Sequence, residues 1–203
     1  VISAASMFTG NLLAIPQKNL KRLIAYSSIA QAGYILIGVA SGTSFGLTAS
    51  VYYLVAYLVT NLAVFAIINW IEKESGSTEI STFAGLNRRS PGLAFLMMLA
   101  LLSLGGIPPL AGFFAKVLVF GSAIQNGMAW LAVLGIINSV IALYYYLRIM
   151  KVMYVDSPAS EKKFSRLPVI WGVALAFCMI GVVTLGIVYS PWFNLISIAA
   201  TGF

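Results

Sequence analysis

Residues 104–120 read LGGIPPLAGFFAKVLVF, and how the chain carries this stretch decides the fold. It lies inside an apolar segment from Pro91 to Gln125, whose 35 residues would form a helix of about 52 Å at ~1.5 Å per residue. That is too long for one straight crossing of a ~30 Å hydrocarbon core. Splitting it at Gly105-Gly106-Ile107-Pro108-Pro109 leaves pieces of about 15 and 16 residues, short of the ~17 that a crossing needs. Pro108 and Pro109 remove two backbone donors, and Gly105 and Gly106 make unwinding cheap. The segment therefore reads as one discontinuous helix broken at Gly105–Pro109. Unwound backbone at membrane depth persists only where protein or a water-filled cavity surrounds it.

Outward from the break, the composition is that of an integral membrane protein. Of 203 residues, 61% are hydrophobic and 8% charged, where a soluble domain carries about 25% charged residues. Sixteen of the 17 charges fall in the windows 18–22, 72–89 and 148–166. Apolar stretches long enough to cross are 23–41, 48–71, 128–154 and 169–190, and 1–17 makes a partial span ending near Pro16. The predicted fold is an all-α polytopic transmembrane bundle, with about five full spans including the broken one, plus one partial. A single domain covers 1–203. Val1 lies within an apolar run with no charged region before it, so the chain is expected to start inside a helix, as a fragment of a longer subunit.

Loop charge sets the count of crossings, because Lys and Arg collect on the cytoplasmic side of short loops. With 91–125 crossing once, the basic loops 18–22, 72–90 and 155–168 share one face, expected to be cytoplasmic, and the uncharged loops 42–47 and 126–127 share the other. Two crossings would put the last basic loop on the wrong side. The net charge of +7 then reflects orientation and contact with membrane lipids rather than nucleic acid.

The one charge outside those windows is Lys116, two turns past the break and about 13 Å from the helix end at Gln125, too far for easy snorkelling. A charge at that depth costs at least ~2.5–3.5 kcal/mol on insertion scales, which makes it a functional candidate by default. Desolvation penalises the ammonium, so Lys116 is a candidate to release and take back a proton. All five acids, Glu72, Glu74, Glu79, Asp156 and Glu161, are expected in the loops. Partners for Lys116 must then be hydroxyls, amides, waters or another chain. Polar residues within the spans are Ser27, Ser28, Gln31, Tyr34, Thr60, Asn61, Asn138 and Tyr144 to Tyr146, of which Gln31 and Tyr144 are the candidates for a water wire. For each alone, helix packing is the plainer role. No histidine and one cysteine, Cys178, exclude internal disulfides, thiolate iron–sulfur clusters, zinc sites and bis-histidine haem.

The strings NLLAIPQKNLKRLIAYSSIAQAGY (11–34), LGGIPPLAGFFAKVLVF (104–120) and YYYLR (144–148) together resemble the antiporter-like proton-pumping subunits of respiratory complex I, over essentially the whole chain. The resemblance implies a fold of fourteen helices with two inverted five-helix repeats, each with one broken helix. This chain would then run from the ninth helix to the fourteenth, with 91–125 as the broken twelfth. It also implies that Lys116 is the terminal proton-channel lysine of the second half-channel. M-type relatives have glutamate there, and L-type relatives usually follow the lysine with an acid, whereas Val117 follows here. Lys21 matches a basic position near a helix end, where orientation is the favoured role. Gln31 departs from the family, since many relatives have histidine in SSIAHxGY, and an amide cannot titrate.

The function this implies is proton translocation within a hetero-oligomer of complex I membrane subunits in the cell's inner (plasma) membrane, coupled to electron transfer from NADH to quinone in the other subunits. No cofactor would sit in this chain; NAD, FMN, iron–sulfur clusters and quinone would belong to partner subunits. The alternatives are a subunit of a Mrp-type sodium/proton antiporter, which would share the helices and the break, and a scaffold bundle that only anchors neighbours.

Overall fold

The computed structural model describes residues 1–158, 163–165 and 167–201. Glu161, Lys162 and Arg166 of the third basic loop lie outside the described residues. Among the described residues the regular structure is helical, apart from one isolated antiparallel bridge between Asn19 and Glu79. The chain runs through α1 (Ile2–Ala14), α2 (Leu20–Ala40), α3 (Ser44–Ser75), a 3-10 turn (Ile80–Phe83), α4 (Leu86–Arg89), α5 (Pro91–Gly105), α6 (Ala111–Gln125), α7 (Ala129–Tyr154), α8 (Val169–Ile187) and α9 (Tyr189–Thr201). Of these, α2, α3, α7 and α8 are long and apolar enough to cross a membrane, while α1, α5 and α6 are shorter apolar helices.

Helix ends follow from local chemistry. Asn19 accepts the amide of Arg22 at 3.1 Å, a cap that starts α2 at Leu20 rather than at the predicted Leu23. Lys21 and Arg22 consequently belong to the first turn of a helix. Likewise α3 runs past the predicted Ile71 to Ser75 and stops at Gly76, whose φ of +74° is a left-handed cap. Glu72 and Glu74 thus sit on the last turn of α3, which corrects the expectation that all the acids are in loops. The predicted span 169–190 ends at Ile187, and α9, which the hydropathy reading did not anticipate, follows it.

The two ends of the bundle differ chemically. At one end the basic windows meet. The Leu20 amide donates to Thr78 O and the Ile80 amide to Lys18 O, both at 2.8 Å, and the Gly85 amide donates to Val152 O at 3.2 Å. At the other end the Asn126 amide side chain donates to the Ser41 carbonyl, which joins the two uncharged loops. Since α5 leaves the first end and α6 arrives at the second, Pro91–Gln125 traverses the bundle once, as the loop charges predict.

Helix α3 is central, packing against α2, α5, α6, α8 and α9. One apolar cluster gathers Ile24, Ile67, Phe83, Met97 and Tyr146; a second gathers Met7, Tyr34, Tyr52, Ala115 and Val119. Leu54, Leu58 and Leu62 repeat on the exposed face of α3, where the burial rule of a soluble protein is reversed and lipid is the expected solvent.

Candidate functional site

The break occupies residues 106–110 between α5 and α6, and its geometry starts with Gly106. That residue ends α5 with φ +82°, a left-handed conformation that costs a residue with a Cβ about 1–2 kcal/mol. A Cβ there would also lie 2.9 Å from Lys116 Cδ and 3.2 Å from its Nζ. Glycine is therefore required twice over, by the backbone and by the lysine laid across it. The turn is closed by Gly106 and Ile107 amides donating to Ser103 O at 2.9 Å and Leu102 O at 3.0 Å, and by the Gly112 amide donating to Ser103 Oγ at 3.2 Å. Gly105 is buried, whereas Pro108 and Pro109, joined by a cis peptide, are exposed on this chain. From the far side, a side chain at Gly186 of α8 would run into the Pro109 carbonyl.

Lys116 folds back over this break. Its side chain is buried, 5% exposed, and Nζ donates to Leu104 O and Gly105 O, both at 3.1 Å. Those carbonyls end α5, where the last C=O groups have no helical partner and the helix dipole is negative. Nζ also stands over the ring of Tyr34, whose centroid is 5.0 Å away. Among the described residues the lysine's direct hydrogen-bond partners are two backbone carbonyls at the end of α5, a kind of partner not named among the hydroxyls, amides, waters and other chains expected from sequence.

Gln31 meets the lysine at a shared acceptor. Its Nε2 donates to Leu104 O and to the Tyr146 hydroxyl, each at 3.3 Å, and its Oε1 accepts from the Tyr53 hydroxyl at 2.5 Å. Tyr146 is hydrogen-bonded in turn to Ser27. A second node lies on α1 and α7: Asn11 Nδ2 donates to the backbone and side-chain oxygens of Asn138 at 3.0 Å and to the Tyr34 hydroxyl at 3.4 Å, and Tyr145 donates to Asn11 Oδ1 at 2.9 Å. Among the predicted polar residues, Thr60 lies 3.4 Å from Ser103 Oγ, and Ser28 accepts from Tyr57 at 2.7 Å. A cavity of about 10 Å³ lined by Gln31, Tyr53, Thr60 and Ser103 is at the lower limit for one water. On the other side of Lys116, a groove of about 350 Å³ lined by Phe113, Val117, Phe120, Ile136 and Ser139 opens to the bundle exterior.

Tyr144 is not brought into this arrangement. It is 59% exposed, and its two neighbours Tyr145 and Tyr146 carry the inward contacts. On a helix consecutive residues lie about 100° apart, so the YYY run could present only part of itself to the core. Lys21 also stands apart, pairing with Glu72 across α2 and α3 at 2.6 Å, both side chains about 40% exposed. An exposed pair of that kind contributes about 0–1 kcal/mol. Tyr53 and Asn11 went unread in the sequence. Asn11 did carry a signal, as the one amide side chain in α1, while nothing distinguished Tyr53 from a packing tyrosine.

The comparisons with known proteins agree on a family. Residues 1–142 match the transmembrane family described as NADH:quinone oxidoreductase/Mrp antiporter. The chain is 44% identical over 193 residues to NADH-quinone oxidoreductase subunit N of Moorella thermoacetica, covering 95% of this chain and 40% of that protein. It is 41% identical over 211 residues to NAD(P)H-quinone oxidoreductase subunit 2 of Synechococcus elongatus, covering 99% and 40%. The chain thus spans about two fifths of the relatives it matches. A chain of respiratory complex I from Thermus thermophilus superposes with a TM-score of 0.82 at 32% identity, over 95% of this chain and 43% of that one. A chain of the Mrp complex from Dietzia superposes at 0.87 over 98% and 46%, at 23% identity, a likeness of fold.

Proposed function

The chain belongs to the NADH:quinone oxidoreductase/Mrp antiporter transmembrane family, and on that basis we propose that it translocates protons as part of a membrane subunit of NADH-quinone oxidoreductase. In this reading it corresponds to the ninth to fourteenth helices of the subunit. The observation that carries the reading is Lys116, a buried amine held by the two carbonyls that the broken helix leaves unpaired. Its relatives named as subunit N or subunit 2 of quinone oxidoreductases favour this over a Mrp-type antiporter, which shares the family and the fold.

The chemistry is proton carriage by one titratable group. As an ammonium, Lys116 donates to Leu104 O and Gly105 O at the negative end of α5. As an amine it has given its proton to a water or hydroxyl and keeps a lone pair that accepts the next one. Gln31 cannot titrate, so its part is to hold the Leu104 carbonyl and the Tyr146 and Tyr53 hydroxyls in register around the lysine. With one cysteine and no histidine, the chain lacks the ligands for an iron–sulfur cluster, and redox chemistry is assigned to partner subunits that hold NAD, FMN, clusters and quinone. In this proposal the complex lies in the cell's inner (plasma) membrane, with the basic end of the bundle cytoplasmic and lipids and other membrane subunits as partners.

The test is Lys116→Ala in the whole complex, reconstituted in vesicles, with NADH oxidation and proton movement measured together. Assembly is expected to persist and the ratio of protons to electrons to fall. Lys116→Arg is expected to lower it as well, because arginine holds its proton under all working conditions. An assembled Lys116→Ala complex that pumps at the full ratio overturns the assignment. Sodium-dependent transport by a complex lacking flavin and iron–sulfur subunits would identify the antiporter instead.

A further inference from the structure

Tyr34 is the residue that joins the two polar nodes described above. Its ring is fully buried. One face lies near Tyr53, with centroids 6.3 Å apart and planes at 22°, and the edge of the contact with Phe120 is at 6.2 Å and 68°. Its hydroxyl is tied by Asn11 Nδ2 at 3.4 Å to the Asn138 and Tyr145 node. Lys116 Nζ stands 5.0 Å from the ring centroid. The ring is thus held by its packing and set where the ammonium has spent two of its three donors on carbonyls.

We infer that Tyr34 is a positioning residue for proton carriage, its ring face holding the Lys116 ammonium against the broken helix while packing on Tyr53 and Phe120 keeps that ring in place. This rests on the proposed role of Lys116. The physical basis is that an aromatic face attracts a cation and is close to indifferent to a neutral amine. The ring therefore distinguishes the loaded lysine from the unloaded one, which the packing of Tyr34 against Tyr53 and Phe120 alone does not. The other groups around the lysine do not compete for this role. Helix α5 offers carbonyls and no titratable side chain. Helix α3 contributes Tyr53, bound to Gln31, and α7 contributes Tyr145 and Tyr146, bound to Asn11, Ser27 and Gln31. Helix α8 carries only Cys178, which packs on the apolar cluster that excludes Ala115 and Val119.

The experiment measures NADH-driven proton pumping by the reconstituted whole complex between about pH 6 and 9 for the parent, Tyr34→Phe, Tyr34→Leu and Lys116→Ala. Tyr34→Phe keeps the ring and is expected to keep the parent profile within about twofold. Tyr34→Leu removes the face, which makes the proton easier to lose. The pH at which pumping falls to half on the alkaline side is expected to drop by about 0.4–1.5 units, the range that a cation–π contact of ordinary strength converts to. Should the leucine variant fail to assemble, Tyr34→Met is read in the same way. A leucine or methionine profile that overlays the parent, or a phenylalanine profile displaced as far as leucine, overturns the inference. If Lys116→Ala pumps normally, the proposed function itself falls; if Lys116→Ala fails and the Tyr34 profiles coincide, only the role of Tyr34 does.

Discussion

Lys116 was legible in the sequence because one charge in a long apolar stretch is an exception that needs no structure to notice. Its partners were not legible, because they are backbone carbonyls 11 and 12 positions earlier, and every residue has a carbonyl. What frees those two is the left-handed turn at Gly106, and this makes Gly106 the most sensitive position near the lysine. Gly106→Ala would add a Cβ 2.9 Å from Lys116 Cδ and force φ +82° on a residue that resists it. The substitution is expected to destabilise the subunit by about 1–2 kcal/mol and to reduce pumping by displacing the lysine. Thermal unfolding of the purified complex, with pumping measured on the same preparation, checks it, and a variant that matches the parent in both would show that the lysine tolerates a wider cradle.

Elements were read from length, hydropathy and breakers, and most of them survive. The discontinuous helix, the four long spans and the partial first span are present, with boundaries moved where a cap extends a helix: Asn19 for α2 and Gly76 for α3. What could not be read is how α1 ends. Arg148, on α7, donates to Ile15 O at 2.8 Å and Gln17 O at 2.5 Å, so a cation from a distant helix satisfies the carbonyls at the end of α1 and complements its dipole. By sequence Arg148 falls inside the predicted span 128–154, outside the three basic loops, and its string YYYLR carries only the family resemblance. Arg148→Met is expected to cost about 2 kcal/mol, the scale of hydrogen bonds made by a charged group, with the loss concentrated in α1. Hydrogen exchange should show faster exchange in residues 2–14 and little change in α8; uniform protection would place the arginine's value elsewhere.

At the scale of the whole molecule, the bundle has a basic end and an uncharged end, and Pro91–Gln125 joins them once. In vesicles of known orientation, cysteines placed singly at Ser77 and Asn126, with Cys178 replaced by alanine, are expected to react with a membrane-impermeant thiol reagent from opposite faces. Labelling from the same face would require 91–125 to cross twice. The sequence by itself determined the class of fold, the single broken crossing, the gathering of the basic windows at one end and the one Lys or Arg outside them, because hydropathy, helix breakers and charge placement act locally and are written residue by residue. Tertiary structure alone decided which groups hold that lysine, that Gln31 joins it through the Leu104 carbonyl, that Tyr34 covers it and that Tyr144 does not take part. Those outcomes depend on how helices rotate about their axes when they pack, and a rotation of one residue's 100° exchanges a buried tyrosine for an exposed one.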